Sequence, residues 1–250
     1  MPVFHHGSVE IAFLDEGRGE PIVLVHGFAS SKTVNWVAPG WLSTLTAAGR
    51  RVLALDNRGH GDSSKLYDPV EYHTGKMAGD VLALLDHLGL PRADVMGYSM
   101  GARIAAFLAH DHPTRVRSIV LGGLGWHLIE GGGLPDSIAE ALEAPSLSDV
   151  SDPQGRTFRA FADQTRSDRR ALAACIRGSR QVLTREQAAS IEAPALIAVG
   201  TKDTVAGSAD ELAAIMPHAR ALPIPNRDHM LAVGDKVFKA GVLDFLKEAG

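Results

Sequence analysis

Short apolar runs recur along the chain, each too continuous for a strand with one wet face. They read Pro21-Ile22-Val23-Leu24-Val25, Arg51-Val52-Leu53-Ala54-Leu55, Ala93-Asp94-Val95-Met96-Gly97, Val116-Arg117-Ser118-Ile119-Val120-Leu121 and Ala195-Leu196-Ile197-Ala198-Val199. Such runs suit strands covered on both faces, as in a parallel sheet. Helical spacing separates most of them. Met77, Val81, Leu84, Leu85 and Leu88 recur at three and four, which predicts a helix over residues 74–88 that Gly89 stops. Ser208-Ala209-Asp210-Glu211 is a capping-box pattern opening another helix. Val237, Val242, Phe245 and Leu246 mark the inner face of a C-terminal one. Ahead of the first run, residues 7–15 alternate and turn at Glu16-Gly17-Arg18-Gly19, which predicts an N-terminal hairpin entering the next strand. Strands and helices in alternation predict an α/β fold: a mostly parallel central sheet with helices on both faces.

One stretch breaks the alternation. Residues 126–192 contain no strand pattern, and residues 134–144, 156–164 and 168–183 read as helices. Thr184-Arg185-Glu186-Gln187 is a second capping box, and Gly131-Gly132-Gly133 and Pro145 punctuate the region. The expected organisation is one compact domain, with a core of residues 1–125 and 193–250 and a small helical cap of residues 126–192. The cap is placed over the C-terminal edge of the sheet, where open α/β sheets bind ligands.

Composition narrows the class. The chain has 250 residues, 45% hydrophobic, with a formal net charge of -4 and scattered basic residues, which argues against nucleic acid as a partner. Its one cysteine, Cys175, excludes an internal disulfide and reads as a packed apolar side chain. The N-terminal residues have no signal-peptide pattern, and no apolar run approaches a membrane span. The expectation is a cytoplasmic enzyme acting on a small molecule, of unassigned oligomeric state. With no H-E-x-x-H, no cysteine pair, no G-x-G-x-x-G and no Walker pattern, no metal and no cofactor are inferred.

The chemistry concentrates at Gly97-Tyr98-Ser99-Met100-Gly101, a G-x-S-x-G motif. An apolar strand runs into it and the small-residue helix Ala102-Arg103-Ile104-Ala105-Ala106 runs out. A sharp strand-to-helix turn would lift the Ser99 hydroxyl clear of the sheet, with the helix N-terminus favouring negative charge beside it.

On these residues the chain resembles the α/β-hydrolase family, serine hydrolase branch, carboxylesterase-like. Other motifs fall in family order: His26-Gly27-Phe28, Asp56-Asn57-Arg58-Gly59-His60-Gly61-Asp62-Ser63, Gly200-Thr201-Lys202-Asp203, and His229 after Ala221-Leu222-Pro223-Ile224-Pro225. The resemblance implies Ser99 as nucleophile, His229 as base and Asp203 as the acid that holds the imidazole. It implies backbone N–H donors at Phe28 and Met100 for the oxyanion. His26 and His60 read as loop-shaping residues. Asp228 adjoins His229, but neighbouring side chains in a loop rarely align ring nitrogen and carboxylate. The expected substrate contacts are His26, Arg103 and Trp126, with Arg103 also able to pair with an acid such as Asp62.

The implied activity is cleavage of carboxylic esters, or of lactone or thioester bonds, through an acyl-enzyme on Ser99. A serine elbow, and a cap with no tyrosine, count against epoxide hydrolases and haloalkane dehalogenases. Ser99-Met100-Gly101 also resembles the carbon-carbon bond hydrolases of aromatic degradation, whose histidine is usually followed by tryptophan; here Met230 follows. The elbow through Arg103 looks like that of the menaquinone-pathway eliminase, in which the arginine helps bind a substrate carboxylate. Ligand receptors share the fold, and an intact triad in order argues against that reading.

Overall fold

In a computed structural model of the chain, which describes residues 2–131 and 134–249, every apolar run forms a strand that feeds two cores at once. The strands are β1 (Val3–His6), β2 (Val9–Gly17), β3 (Pro21–Val25), β4 (Arg51–Leu55), β5 (Ala93–Tyr98), β6 (Val116–Gly122), β7 (Ala195–Gly200) and β8 (Ala219–Ile224). Side chains alternate between faces along a strand. Val23, Val25, Leu53, Leu55, Val95, Ile119 and Ile197 enter one core. Ile22, Leu24, Val52, Ala54, Met96, Val120 and Leu196 enter the other. Burial on both faces is why the runs carry no polar alternation.

The helices that cover these faces are α1 (Trp41–Ala47), α2 (Thr74–His87), α3 (Met100–Asp111), α4 (His127–Glu130), α5 (Ser137–Glu143), α6 (Pro153–Gln164), α7 (Arg169–Gly178), α8 (Arg185–Ala189), α9 (Ala209–Ala213) and α10 (Lys236–Glu248). Helices α2 and α3 pack on the first core. Helices α1 and α10 pack on the second, where Trp41 meets Phe238 edge-on at 5.0 Å. Phe238, rather than the expected Val237, shares the inner face of α10 with Val242, Phe245 and Leu246. Among the described residues no helix is long and apolar enough to cross a membrane.

The sheet has eight strands in the order β1-β2-β4-β3-β5-β6-β7-β8. Strands β3 to β8 are parallel, and β1 and β2 add an antiparallel edge. The N-terminal hairpin turns earlier than expected. It joins β1 to β2 through Gly7 at φ 63°, and β2 then pairs with β4 rather than running back along β3. Strand β3 lies between β4 and β5, so successive connections leave it in opposite directions. That switch point opens a crevice at the C-terminal strand ends.

Between β6 and β7 the described chain is helical, α4 to α8, as the sequence pattern anticipates. Part of the triple glycine, Gly132-Gly133, lies outside the described residues. Helix α7 stops at Gly178, short of the expected residue 183, and there the backbone passes against the Pro69 carbonyl with no room for a Cβ. The Thr184 capping box is complete: its hydroxyl accepts from the Gln187 N–H, and Gln187 accepts from the Thr184 N–H. Ser208 caps α9 by accepting from the Glu211 N–H.

The elbow between β5 and α3 is the tightest point of the fold. A Cβ on Gly101 would collide with the carbonyl oxygens of Val25 and His26, and one on Gly97 with the Gly101 carbonyl. We expect Gly101→Ala to lower unfolding free energy by about 1–3 kcal/mol or more, because the obstruction is backbone that cannot rotate away. A guanidinium unfolding curve with unchanged slope and a lower midpoint would show it.

Candidate active site

Ser99 occupies the turn at φ 55° and ψ -113°, a left-handed backbone that a non-glycine residue adopts only under strain. Its N–H donates to the Gly122 carbonyl at 2.7 Å, and its carbonyl accepts from the Arg103 N–H at 3.1 Å. The turn is thereby tied to the neighbouring strand and to the first turn of α3. The hydroxyl faces the crevice. The His229 Nε2 lies 3.0 Å from the Ser99 Oγ, and the His229 Nδ1 lies 2.8 Å from the Asp203 Oδ2. The three residues come from the ends of β5, β7 and β8.

Each member is held from behind. The Asp203 side chain is fully buried, and its second oxygen accepts from the N–H groups of Val205 at 2.8 Å and Ala206 at 3.0 Å. Asp228 is spent elsewhere: its Oδ1 accepts from the N–H groups of Met230 and Leu231, closing the turn after His229. The Tyr98 hydroxyl donates to the His229 carbonyl at 2.6 Å, and its ring lies tilted 5.6 Å from the imidazole. Burial raises the Tyr98 phenol, so it remains a donor at any working pH. This arrangement can draw a proton from the serine hydroxyl while a fixed carboxylate stabilises the resulting imidazolium.

Among the described residues, two backbone amides beside the crevice have no backbone acceptor. Met100 is the first residue of α3, so its N–H has no intrahelical acceptor. Among the described residues the Phe28 N–H meets no backbone acceptor either. The loop carrying Phe28 is fastened by buried polar contacts. The Asn57 N–H donates to the His26 Nε2 at 3.0 Å, which leaves the proton on Nδ1, 2.7 Å from the Gly27 carbonyl. The Gly27 N–H donates to the Asn35 Oδ1 at 3.1 Å. Burial pushes the pKa of His26 down, and that of His60 down to about 3, so both rings are neutral.

Three expectations need correction. His26 is fully buried with both ring nitrogens engaged, so it shapes the loop and cannot touch substrate. Trp126 stands apart from the cavity walls and carries the Arg185 guanidinium over its ring at 5.7 Å. Arg103 does not pair with Asp62, which is bound by Lys32 at 2.9 Å. Instead Arg103 donates to the carbonyls of Gln181 at 2.9 Å and His127 at 3.1 Å, and among the described residues it has no carboxylate partner. Burial pushes its pKa down to about 10, leaving it a cation at neutral pH.

The sequence reading missed Lys32. It is buried beneath the Phe28 loop, where its ammonium donates to Asp56 at 2.5 Å and its N–H donates to the same carboxylate at 2.7 Å. The only local signal was an acid, Asp56, with no assigned partner. Tyr98 was visible as the second residue of the elbow, but nothing local showed that it reaches the loop of His229.

Ser99 divides the crevice into two lobes that share Phe28, Leu134 and Val205. One, of about 350 Å³, is walled by Met100, Arg103, Leu124, Ile176, Ser179 and Arg180. The other, of about 410 Å³, is walled chiefly by Val34, Phe158, Phe161, Met230 and Val233, with His229 on its side.

Comparison with known proteins agrees with this architecture. The family model described as alpha/beta hydrolase fold matches residues 20–182. The dihydrolipoyllysine-residue acetyltransferase component of the acetoin cleaving system of Pseudomonas putida is 34% identical over 85% of this chain and 59% of its own length. Epoxide hydrolase B of Mycobacterium tuberculosis is 38% identical over 41% of this chain and 28% of its own. The chain thus spans 59% and 28% of the length of these two curated relatives. A hydrolase from Pseudomonas aeruginosa PA01 superposes with a TM-score of 0.80, at 28% identity, over 98% of this chain and 97% of that one.

Burial alone would raise the Asp56 carboxyl, but the Lys32 ammonium and the N–H groups of Asp62 and Lys32 outweigh it and hold the pKa below the ordinary range. A carboxyl with a lowered folded pKa adds stability above its unfolded pKa of about 3.9, lost as pH falls through the folded value. Lys32→Met strands that carboxylate and is expected to cost about 3–5 kcal/mol at neutral pH. Denaturant titrations at pH 7 and near pH 4 should show the gap between native and variant protein narrowing in acid.

Proposed function

This chain belongs to the alpha/beta hydrolase fold family, and from that premise we propose that it is a serine hydrolase cleaving carboxylic esters, or related lactone and thioester bonds, through an acyl-enzyme on Ser99. The observation that carries the reading is the unbroken relay from Asp203 through His229 to the Ser99 hydroxyl, at 2.8 and 3.0 Å, on a turn held in a strained left-handed backbone. Serine is a weak nucleophile until an adjacent base takes its proton. In this reading His229 takes that proton as the Ser99 Oγ adds to the acyl carbon. The N–H groups of Met100 and Phe28 receive the developing oxyanion, where removing one such donor typically costs about 100- to 1000-fold in rate. His229 then returns the proton to the departing group, and a water molecule repeats the sequence to free the acid.

The names of the relatives do not choose the chemistry, since an acetyltransferase component and an epoxide hydrolase both appear among them. The nucleophile position supports the acyl reading. An alkyl-enzyme ester needs a carboxylate at the elbow, and this chain has a hydroxyl there.

A panel of p-nitrophenyl esters, lactones, thioesters and a vinylogous diketone tests the reading. Esters should be turned over with a burst of nitrophenol. Preference for the diketone over every ester would replace ester cleavage with carbon-carbon bond hydrolysis on the same three residues. Ser99→Ala should lower kcat by roughly a millionfold with the fold intact by circular dichroism. Asp203→Asn presents an amide N–H to the His229 Nδ1 and forces the ring proton onto Nε2, facing Ser99. A loss of about 10⁴-fold in kcat is expected. Near-native turnover by either variant would remove the serine mechanism.

A further inference from the structure

The helical segment between β6 and β7 meets the rest of the chain along two limbs, and Arg103 holds both. We propose that Arg103 and His127 are positioning residues. Together they clamp the limbs to the helix that starts beside Ser99 and to the loop of Asp203, so that the cavity walls carried by the segment keep one register with the reacting groups. The inference rests on the serine hydrolase reading above for what that register serves; the clamp itself stands on the contacts.

The limbs are residues 125–128 on the way out of β6 and residues 181–183 on the way back, and the Leu183 N–H donates to the Leu128 carbonyl at 3.1 Å where they pass. Leu134, Phe158, Phe161, Ile176 and Arg180, which wall the crevice, all lie between them in the chain. Arg103 sits in the first turn of α3, where its own N–H donates to the Ser99 carbonyl at 3.1 Å. Its side chain divides between the limbs: the Nη1 donates to the Gln181 carbonyl at 2.9 Å and the Nη2 to the His127 carbonyl at 3.1 Å. A planar guanidinium presents its terminal nitrogens in fixed, diverging directions. Hydrogen bonds from an ionised donor are roughly twice as strong as neutral ones. The residue whose backbone supports the turn at Ser99 therefore also fixes the spacing of both limbs.

His127 carries the tie on to the loop of Asp203. Its ring Nδ1 lies 2.7 Å from the Val205 carbonyl, so that nitrogen holds a proton and donates it. The Val205 N–H in turn donates to the Asp203 carboxylate at 2.8 Å. The same limb is laced to the same loop by backbone: the Gly125 N–H donates to the Ala206 carbonyl at 2.8 Å, and the Trp126 N–H to the Ser208 carbonyl at 2.9 Å. A Cβ on Gly207 would collide with the His127 backbone nitrogen, so limb and loop touch with no side chain between them. The second limb has its own anchor. The Gln181 Oε1 accepts from the Thr74 N–H at 2.8 Å, at the start of α2. One guanidinium and one imidazole thus join the entry and exit of the segment to the turn at Ser99 and to the groups that hold Asp203.

Residue-resolved hydrogen exchange reads the clamp with no substrate present. In Arg103→Met the amides of Gly125, Trp126 and Leu183 should exchange roughly 10- to 100-fold faster than in the native chain, the range that hydrogen bonds to a charged group supply. Those of β5 should keep their rates. Arg103→Lys should lie between, because one ammonium cannot face two carbonyls as the fork does. His127→Leu should speed Gly125 and Trp126, and His127→Asn, whose amide can donate to the Val205 carbonyl, should return them toward native rates. That pair carries the test if Arg103→Met does not fold. The kinetic readout is a ratio, which the folded fraction of a variant leaves unchanged. The kcat/KM for p-nitrophenyl 4-phenylbutanoate over that for p-nitrophenyl acetate should fall roughly tenfold in Arg103→Met, chiefly through KM, since the larger acyl group leans on the segment's walls and the acetyl group does not. Native exchange rates at these amides in the folded variants, equal acceleration in β5, or an unchanged ester ratio would each overturn the proposal. Turnover of neither ester by the native chain would defeat the serine hydrolase reading alone, and exchange would still decide the clamp.

Discussion

The arrangement depends on one backbone constraint: the chain must leave β5 and enter α3 in a single residue. That residue, Ser99, takes a left-handed conformation whose cost is on the order of 1–3 kcal/mol and which persists only where surroundings over-determine it. Here they do. Gly97 and Gly101 let strand and helix close to contact distance, and the hydrogen bond to the Gly122 carbonyl ties the turn to β6. The strain places the serine hydroxyl proud of the sheet and leaves the Met100 N–H unpaired beside it. One distortion thus presents a hydroxyl and a free amide together.

The other half of the site is positioned by buried charge rather than by strain. The Phe28 loop has no regular hydrogen-bonding partner, so side chains from three segments take that role. His26, Asn35 and Asn57 satisfy its backbone, and Asp56 with Lys32 closes the floor. Among the described residues the Asn35 Nδ2 is buried without a partner, but the bonds the network does make lie in a low-dielectric interior and are stiff, because displacing them strands further buried groups. That stiffness keeps the Phe28 amide in place without a ligand to order it.

How much of this was legible follows from the range over which each feature is encoded. The strands, and the helical character of the β6–β7 connection, are local patterns, and residues a few positions apart reveal them. The Ser99, Asp203 and His229 positions were legible because each sits at the end of a recognisable strand. Pairing of β2 with β4 was not, since it depends on where a distant crossover lands rather than on the residues of β2. Helix α1 was missed because seven residues with two threonines and a serine carry little helical period. The partners of Lys32, Trp126 and Arg103 were out of reach for the same reason: Arg103 finds its acceptors at Gln181 and His127, beyond any local pattern. Asp62, the acid that looked available, was already taken.

The hydrogen bond from Tyr98 to the His229 carbonyl links the strand that leads to Ser99 to the loop that carries His229. The spacing of the reacting atoms is therefore set within the sheet and its return loops. The cavity walls at Phe158, Phe161, Ile176 and Arg180 come from a separate stretch of chain, between β6 and β7. Reactivity and recognition are in this sense modular. Drift in the wall residues can explore new substrates while the chemical machinery stays in tune, and a lineage can diversify in what it accepts without first losing the ability to react.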